Sequence, residues 1–204
     1  VEVNRVASSD LLGLFLGSVA VSFLISRLGR RALIYAGIVI AIAANWLCIY
    51  FTDYSAMLML RTLAGFGAGL YTAVAVAGLG ARSKPREAFN WMLLAFAFSQ
   101  FIELQLIPHL SMTGIYLFFI ATYVVTLPFV GYMPSQKQAK PEFAVASGEQ
   151  RPGALAWIGI FAIVVAYINI GAYWSNIELA AEAGGLDGDW AAQVISWSVL
   201  LSFV

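Results

Sequence analysis

The sequence predicts an all-α membrane protein, a polytopic transmembrane helix bundle with about six full spans and a truncated seventh. Three observations predict it. First, 61% of the 204 residues are apolar and only 11% are charged. Soluble domains carry about 25% charged residues, and so few charges cannot cover a water-facing surface. Second, the apolar residues fall in runs at 8–26, 32–51, 56–80, 89–107, 113–133, 154–177 and 190–204. About 20 residues cross the hydrocarbon core, so the first six runs are long enough and the seventh is cut short. Third, the connections between runs alternate in charge.

That alternation sets the topology. Loops 27–31, 81–88 and 134–153 hold Arg27, Arg30, Arg31, Arg82, Lys84, Arg86, Lys137, Lys140 and Arg151, nine of the eleven Lys and Arg. Connections 52–55, 108–112 and 178–189 hold none and carry Asp53, Glu178, Glu182, Asp187 and Asp189 instead. Basic loops stay on the cytoplasmic side. The first helix therefore runs from outside to inside, with residues 1–7 outside. The polar stretch from Ser135 to Pro152 separates five spans from a pair. This predicts three regions: 1–134 as part of an N-terminal helix bundle, 135–153 as a cytoplasmic linker, and 154–204 as the start of a C-terminal bundle. The chain starts without Met and stops inside the apolar run 199–204, which predicts a piece of a longer protein.

Several function classes are excluded. The net charge is zero, which argues against a nucleic-acid partner. Cys48 is the one cysteine, so no intrachain disulfide forms, and it reads as a small buried hydrophobe. His109 is the one histidine, too little for a metal site. There is no Gly-rich phosphate loop, no His/Cys metal spacing and no serine nucleophile motif. The expectation is no metal, no cofactor and no catalytic residue: a protein that is not an enzyme.

Two motifs remain. The first is Arg27-Leu28-Gly29-Arg30-Arg31, between the first and second runs. The second is Arg61 followed by Gly65, Gly67 and Gly69, inside the third. The first resembles the end of the loop signature between the second and third helices of the major facilitator superfamily of secondary transporters. The second resembles that family's fourth-helix signature, an arginine followed by Gly-x-Gly-x-Gly. The linker resembles the family's central cytoplasmic loop. The resemblance implies that the second to eighth helices are in view. It also implies that Arg27, Gly29, Arg30 and Arg31 form a gating loop. The family's loop opens with a glycine and an aspartate, where this chain has Ser22 and Ser26. The charge lock that aspartate takes part in is therefore lost or made differently.

Arg61 is the most informative residue. A charge at membrane depth costs several kcal/mol unless paired or hydrated. It either snorkels to the outer interface or faces inward, to bind a substrate anion or take part in proton coupling. Glu103, one turn inside the outer end of the next span, is its expected partner, with Gln100 three residues earlier on the same face. Asp10 opens the first span, as an interfacial N-cap or as a third member of the charge group. Asn169, Tyr173 and Asn176 fall at i, i+4 and i+7 on one helix face. They read as a pore stripe or as hydrogen-bonding glue between helices. Gly65, Gly67 and Gly69 read as packing residues that let helices approach closely.

These readings point to a secondary active transporter that moves a small solute by alternating access. Proton coupling is expected, with an organic anion as substrate because Arg61 is cationic. The alternative is a non-transporting membrane scaffold or assembly factor that keeps the transporter fold; the serine at position 26 motivates it. The expected partners are the solute, protons, the lipid bilayer and the remaining helices of the full transporter. The expected location is a bacterial inner (plasma) membrane. The topology predicts that Ser55→Cys and Ser83→Cys, each made in a Cys48→Ala background, react with an impermeant thiol reagent from opposite sides. Ser83→Cys labelled from outside intact cells overturns that orientation.

Overall fold

The computed structural model describes residues 2–132 and 187–201, with a few isolated positions between them. The linker 135–153, Gly153 apart, and most of the span 154–177, including Asn169, Tyr173 and Asn176, lie outside the described residues. The described elements are α1 (Glu2–Leu28), α2 (Arg30–Cys48), α3 (Tyr54–Gly80), α4 (Pro85–Leu106), a 3-10 turn at Ile107–His109, α5 (Met112–Val130) and α6 (Gly188–Leu201). Five of the described helices are long and apolar enough to cross a membrane: Arg5–Leu28, Arg30–Cys48, Tyr54–Gly80, Pro85–His109 and Met112–Val130.

Local chemistry sets the breaks. Gly29 separates α1 from α2 with φ 80 and ψ 163, a backbone that only glycine adopts freely. Asp53 caps α3, its carboxylate accepting from Ser55 N at 3.1 Å and Ala56 N at 3.2 Å. The Ser55 hydroxyl also donates to it. Pro85 opens α4, where a missing N–H costs nothing. The Ser111 hydroxyl caps α5 by accepting from Gly114 N at 3.2 Å. Hydrogen bonds, from the Ser55 side chain first, hold the fully exposed Asp53 carboxyl below its ordinary pKa of 3.8. The cap's contribution is therefore complete above that value and is lost as pH falls through the lower folded pKa.

The chain divides into two compact units, Val1–Leu93 with His109–Ala139 and Leu94–Pro108 with Lys140–Val204. In the first, α3 packs against both α1 and α2, and α2 packs against α5. The core joins Val21 of α1, Leu33, Ile34 and Ile38 of α2, Leu70 and Val74 of α3, and Val130 of α5. Large apolar side chains point outward: Phe23 is 72% exposed and Met59 74%. A bilayer covers such a surface and water does not. In the second unit, the end of α4 meets α6 through Gln105 Nε2, which donates to Ser196 Oγ at 2.9 Å. The Phe101 and Trp197 rings stack edge to face there, with centroids 5.2 Å apart.

The glycines explain why α3 sits so close to two neighbours. Residues two apart on a helix are about 200° apart around its axis. Gly65 and Gly69 therefore share one face and Gly67 takes the opposite one. A Cβ on Gly65 would collide with the Asp10 carbonyl oxygen, and one on Gly69 with that of Leu14. Gly13 and Gly17 of α1 return the contact: a Cβ there would collide with the carbonyl oxygens of Thr62 and Phe66. On the other face, a Cβ on Gly67 would lie 2.5 Å from the Gly37 carbonyl oxygen of α2, and a Cβ on Gly37 would lie 2.5 Å from that of Gly67. Backbones this close gain dispersion and Cα–H···O contacts, which replace the hydrophobic drive that lipid removes. Gly67→Leu is expected to abolish the monodisperse detergent-extracted protein. Gly80→Leu, where a side chain meets open space, is expected to leave it near the wild-type yield. Size-exclusion chromatography reads both, and a wild-type profile for Gly67→Leu refutes the packing account.

Candidate functional site

Arg61 sits two turns into α3, about 10 Å along the helix from its start at Tyr54. Its Nη2 donates to Asp10 Oδ2 of α1 at 2.7 Å. Its Nη1 donates to Asn45 Oδ1 of α2 at 3.0 Å. The guanidinium also lies over the Phe119 ring of α5, 6.0 Å from its centroid. One side chain thus gathers groups from three other helices.

The glycine contacts make this reach possible. Gly65, one turn beyond Arg61, lets the backbone at Asp10 come against α3, so the Asp10 carboxylate falls within reach of the guanidinium. Gly67 admits α2 at Gly37 and Ala41, and Asn45 stands one turn beyond Ala41. The Asn45 amide is fixed from its other end, its Nδ2 donating to Ala41 O at 2.8 Å. That bond leaves Oδ1 to accept from Arg61. Asn45 is only 2% exposed. The Arg61 and Asp10 side chains are 15% and 35% exposed, so the cluster is sheltered more completely on its α2 side. Nearby, the Tyr116 hydroxyl of α5 donates to Met57 Sδ of α3 at 3.4 Å.

Two expectations change here. Glu103 was expected to pair with Arg61, but the carboxylate that pairs with it is Asp10, because the α1–α3 glycine contact carries Asp10 to that spot. Glu103 is held within α4: Ser99 Oγ donates to it at 3.2 Å and Gln100 Nε2 at 3.1 Å. Asp10 is also not an N-cap. The helix continues back through the polar residues to Glu2, which puts Asp10 in its third turn. Arg61 takes its partners from protein groups and does not depend on interfacial water for them.

Sequence reasoning missed Asn45, Gly13 and Gly17. The signals were present: a lone amide inside the apolar run 32–51, and a Gly-x-x-x-Gly spacing in the first span. Gln105 and its partner Ser196 were missed as well. In the loop 27–31, Arg31 Nη2 donates to the Gly131 carbonyl at the end of α5, at 2.8 Å. Gly29 supplies the turn, Arg27 closes the last turn of α1 where a cation suits the helix dipole, and Arg30 opens α2. Among the described residues no group of three or more His, Cys, Asp or Glu could hold a metal ion.

Residues 1–84 match a family model described as sugar (and other) transporter. That stretch takes in α1, α2 and α3, and with them Asp10, Asn45 and Arg61 and every glycine contact above, while Phe119 lies beyond it. No curated protein and no solved structure matches the chain significantly.

Arg61→Ala leaves the Asp10 carboxylate and the buried Asn45 amide without their shared donor. An unsatisfied buried polar group costs about 1–3 kcal/mol, so a loss of that order is expected in thermal unfolding of the detergent-solubilised protein. Adding Asp10→Ala is expected to restore part of it. Strict additivity of the two changes shows that the pair is not coupled.

Proposed function

We propose that the chain, whose residues 1–84 match a sugar (and other) transporter family model, is a member of the major facilitator superfamily and a secondary active transporter that couples proton movement to a small organic anion through the Asp10–Arg61 pair. The superfamily and the five apolar helices make it an integral, multi-pass membrane protein. The observation that carries the reading is the 2.7 Å ion pair between α1 and α3 at membrane depth. Such pairs are expensive to bury and mark ion and substrate pathways.

The chemistry follows from competition for one guanidinium. Arg61 presents a planar fork of donors that matches a carboxylate. While Asp10 is ionised, it occupies part of that fork. A proton bound by the Asp10 carboxylate cancels its charge and frees Nη2, and a solute carboxylate takes the vacated position. When the solute leaves, Asp10 gives up its proton and the pair re-forms. Proton and anion therefore bind together, and alternating access moves both in the same direction. Asn45 stays bonded to Nη1 and keeps the guanidinium oriented throughout. Glu103 and Gln100 on α4, and Asn169, Tyr173 and Asn176, are further polar groups that this reading assigns to the solute or proton path. A carrier of this kind needs a membrane that holds a proton gradient, and the bacterial inner membrane is the location assigned.

A second reading has its own support. The matching family is described by sugars, and Asp10, Arg61 and Asn45 together carry no net charge. Acceptors and donors side by side suit the hydroxyls of a neutral sugar. Proteoliposome uptake separates the two. Under proton coupling, Asp10→Asn keeps exchange of a labelled carboxylate at equal pH but loses accumulation driven by an imposed pH gradient. Wild-type uptake of a labelled hexose, unaffected by carboxylates and by the pH gradient, overturns the anion reading in favour of the sugar.

A further inference from the structure

The basic end of the first unit carries a cavity that the transport reading does not use. It has a volume of about 330 Å³ and lies where the start of α2, the end of α3 and the end of α5 meet. Arg30 and Arg82 line it, together with Leu79, Phe129 and Tyr132. No carboxylate is among its lining residues. Arg30 Nε is buried and has no hydrogen-bond partner among the described residues. A buried, unpaired guanidinium N–H is costly, and two uncompensated arginines on one small cavity repel each other. An anion in the cavity removes both costs. The amide groups at the start of α2, which begins at Arg30 with no side-chain cap, add partial positive charge at the same end.

The surroundings say which anion. Arg82 and Leu79 also line a second, more open cavity of about 600 Å³ along α3 and α4. Its wall includes Lys84, Trp91 and Met92. The Lys84 charge is already balanced by Glu87, 2.9 Å away, which leaves Arg82 as the cation common to both cavities. Trp91 is 70% exposed and Tyr132 87%, as aromatics at the headgroup level are. A slot with two arginines thus opens beside a strip of apolar side chains, Leu79, Ala88, Trp91 and Met92, on a wall that also carries Ser83, Lys84 and Glu87. We propose that this is a binding site for an anionic phospholipid, with the phosphodiester held between Arg30 and Arg82 and the acyl chains lying along α3 and α4. Arginine forks fit phosphate oxygens in pairs, and basic pockets between spanning helices take anionic headgroups. A free phosphate shares the headgroup chemistry but has no use for the apolar strip.

Native mass spectrometry of the protein in neutral detergent tests this, titrated with phosphatidylglycerol and with phosphatidylcholine. The wild type is expected to retain phosphatidylglycerol in preference to phosphatidylcholine, and millimolar inorganic phosphate is expected not to displace it. Arg82→Gln, at an exposed position, is expected to weaken phosphatidylglycerol binding about tenfold, and Arg30→Gln to do likewise. Arg86→Gln lies in the same basic loop but lines neither cavity, so its binding is expected to match wild type. Equal losses for Arg82→Gln and Arg86→Gln overturn the site in favour of diffuse charge. Full displacement by inorganic phosphate overturns the lipid in favour of a free anion, and no retained phosphatidylglycerol overturns both.

Discussion

The first unit depends on how a guanidinium is kept in an apolar span. An unpaired Arg61 at that depth would destabilise the bundle by several kcal/mol. It is tolerated because Asp10 cancels its charge and Asn45 takes a second N–H. Both partners come from other helices, so the compensation exists only when α1, α2 and α3 are assembled. The same bonds that satisfy the arginine therefore report that the three helices are in register. The Phe119 ring adds a contact from α5 on an apolar face that offers no competing hydrogen bond.

Glycine and charge are two halves of one arrangement. Six of the glycines on these helices meet backbone carbonyl oxygens across an interface, and one of them, Gly67, meets both the Gly37 carbonyl and Ala41. Side chains at those positions would push the axes apart, and the short reach from α3 to Asp10 would lengthen beyond a hydrogen bond. The smooth faces have a second consequence. Backbone packed on backbone has few interlocking side chains, so α3 can shift against its neighbours at lower cost than a helix packed through knobs and holes.

Much of the fold was legible because the membrane writes it in one dimension. Hydrophobic length sets where the described spans lie. The runs 32–51, 56–80 and 113–133 predicted α2, α3 and α5 to within a few residues. The start of α1 was not legible. Residues 2–7 are too polar to count as span, yet they continue the helix, because no proline or glycine breaks it and Asn4, a residue type that often caps a helix, lies inside it. Gly29 was legible as part of a motif, but its positive φ, which makes the α1–α2 turn a single residue, is a property of the backbone alone.

The site was legible in depth and not in direction. Arg61, Glu103 and Asp10 could each be placed near the outer end of a span by counting residues from its end. Counting fixes height along the membrane normal, and by height either carboxylate could serve the arginine. Which one does serve depends on the rotation of each helix about its axis and on which helices touch. Lipid exposure constrains that rotation weakly, because the runs are apolar on nearly every side. The glycines settle it. Gly13 and Gly17 on α1 answer Gly65 and Gly69 on α3 at the same four-residue spacing, and that pairing fixes both the neighbour and the facing angle. Read together with Arg61, four residues before Gly65, the spacing turns Asp10, three residues before Gly13, toward the same crossing. The information was in the sequence as a match between two small-residue patterns, one on each helix. It could not be found by treating the residues of α3 by themselves.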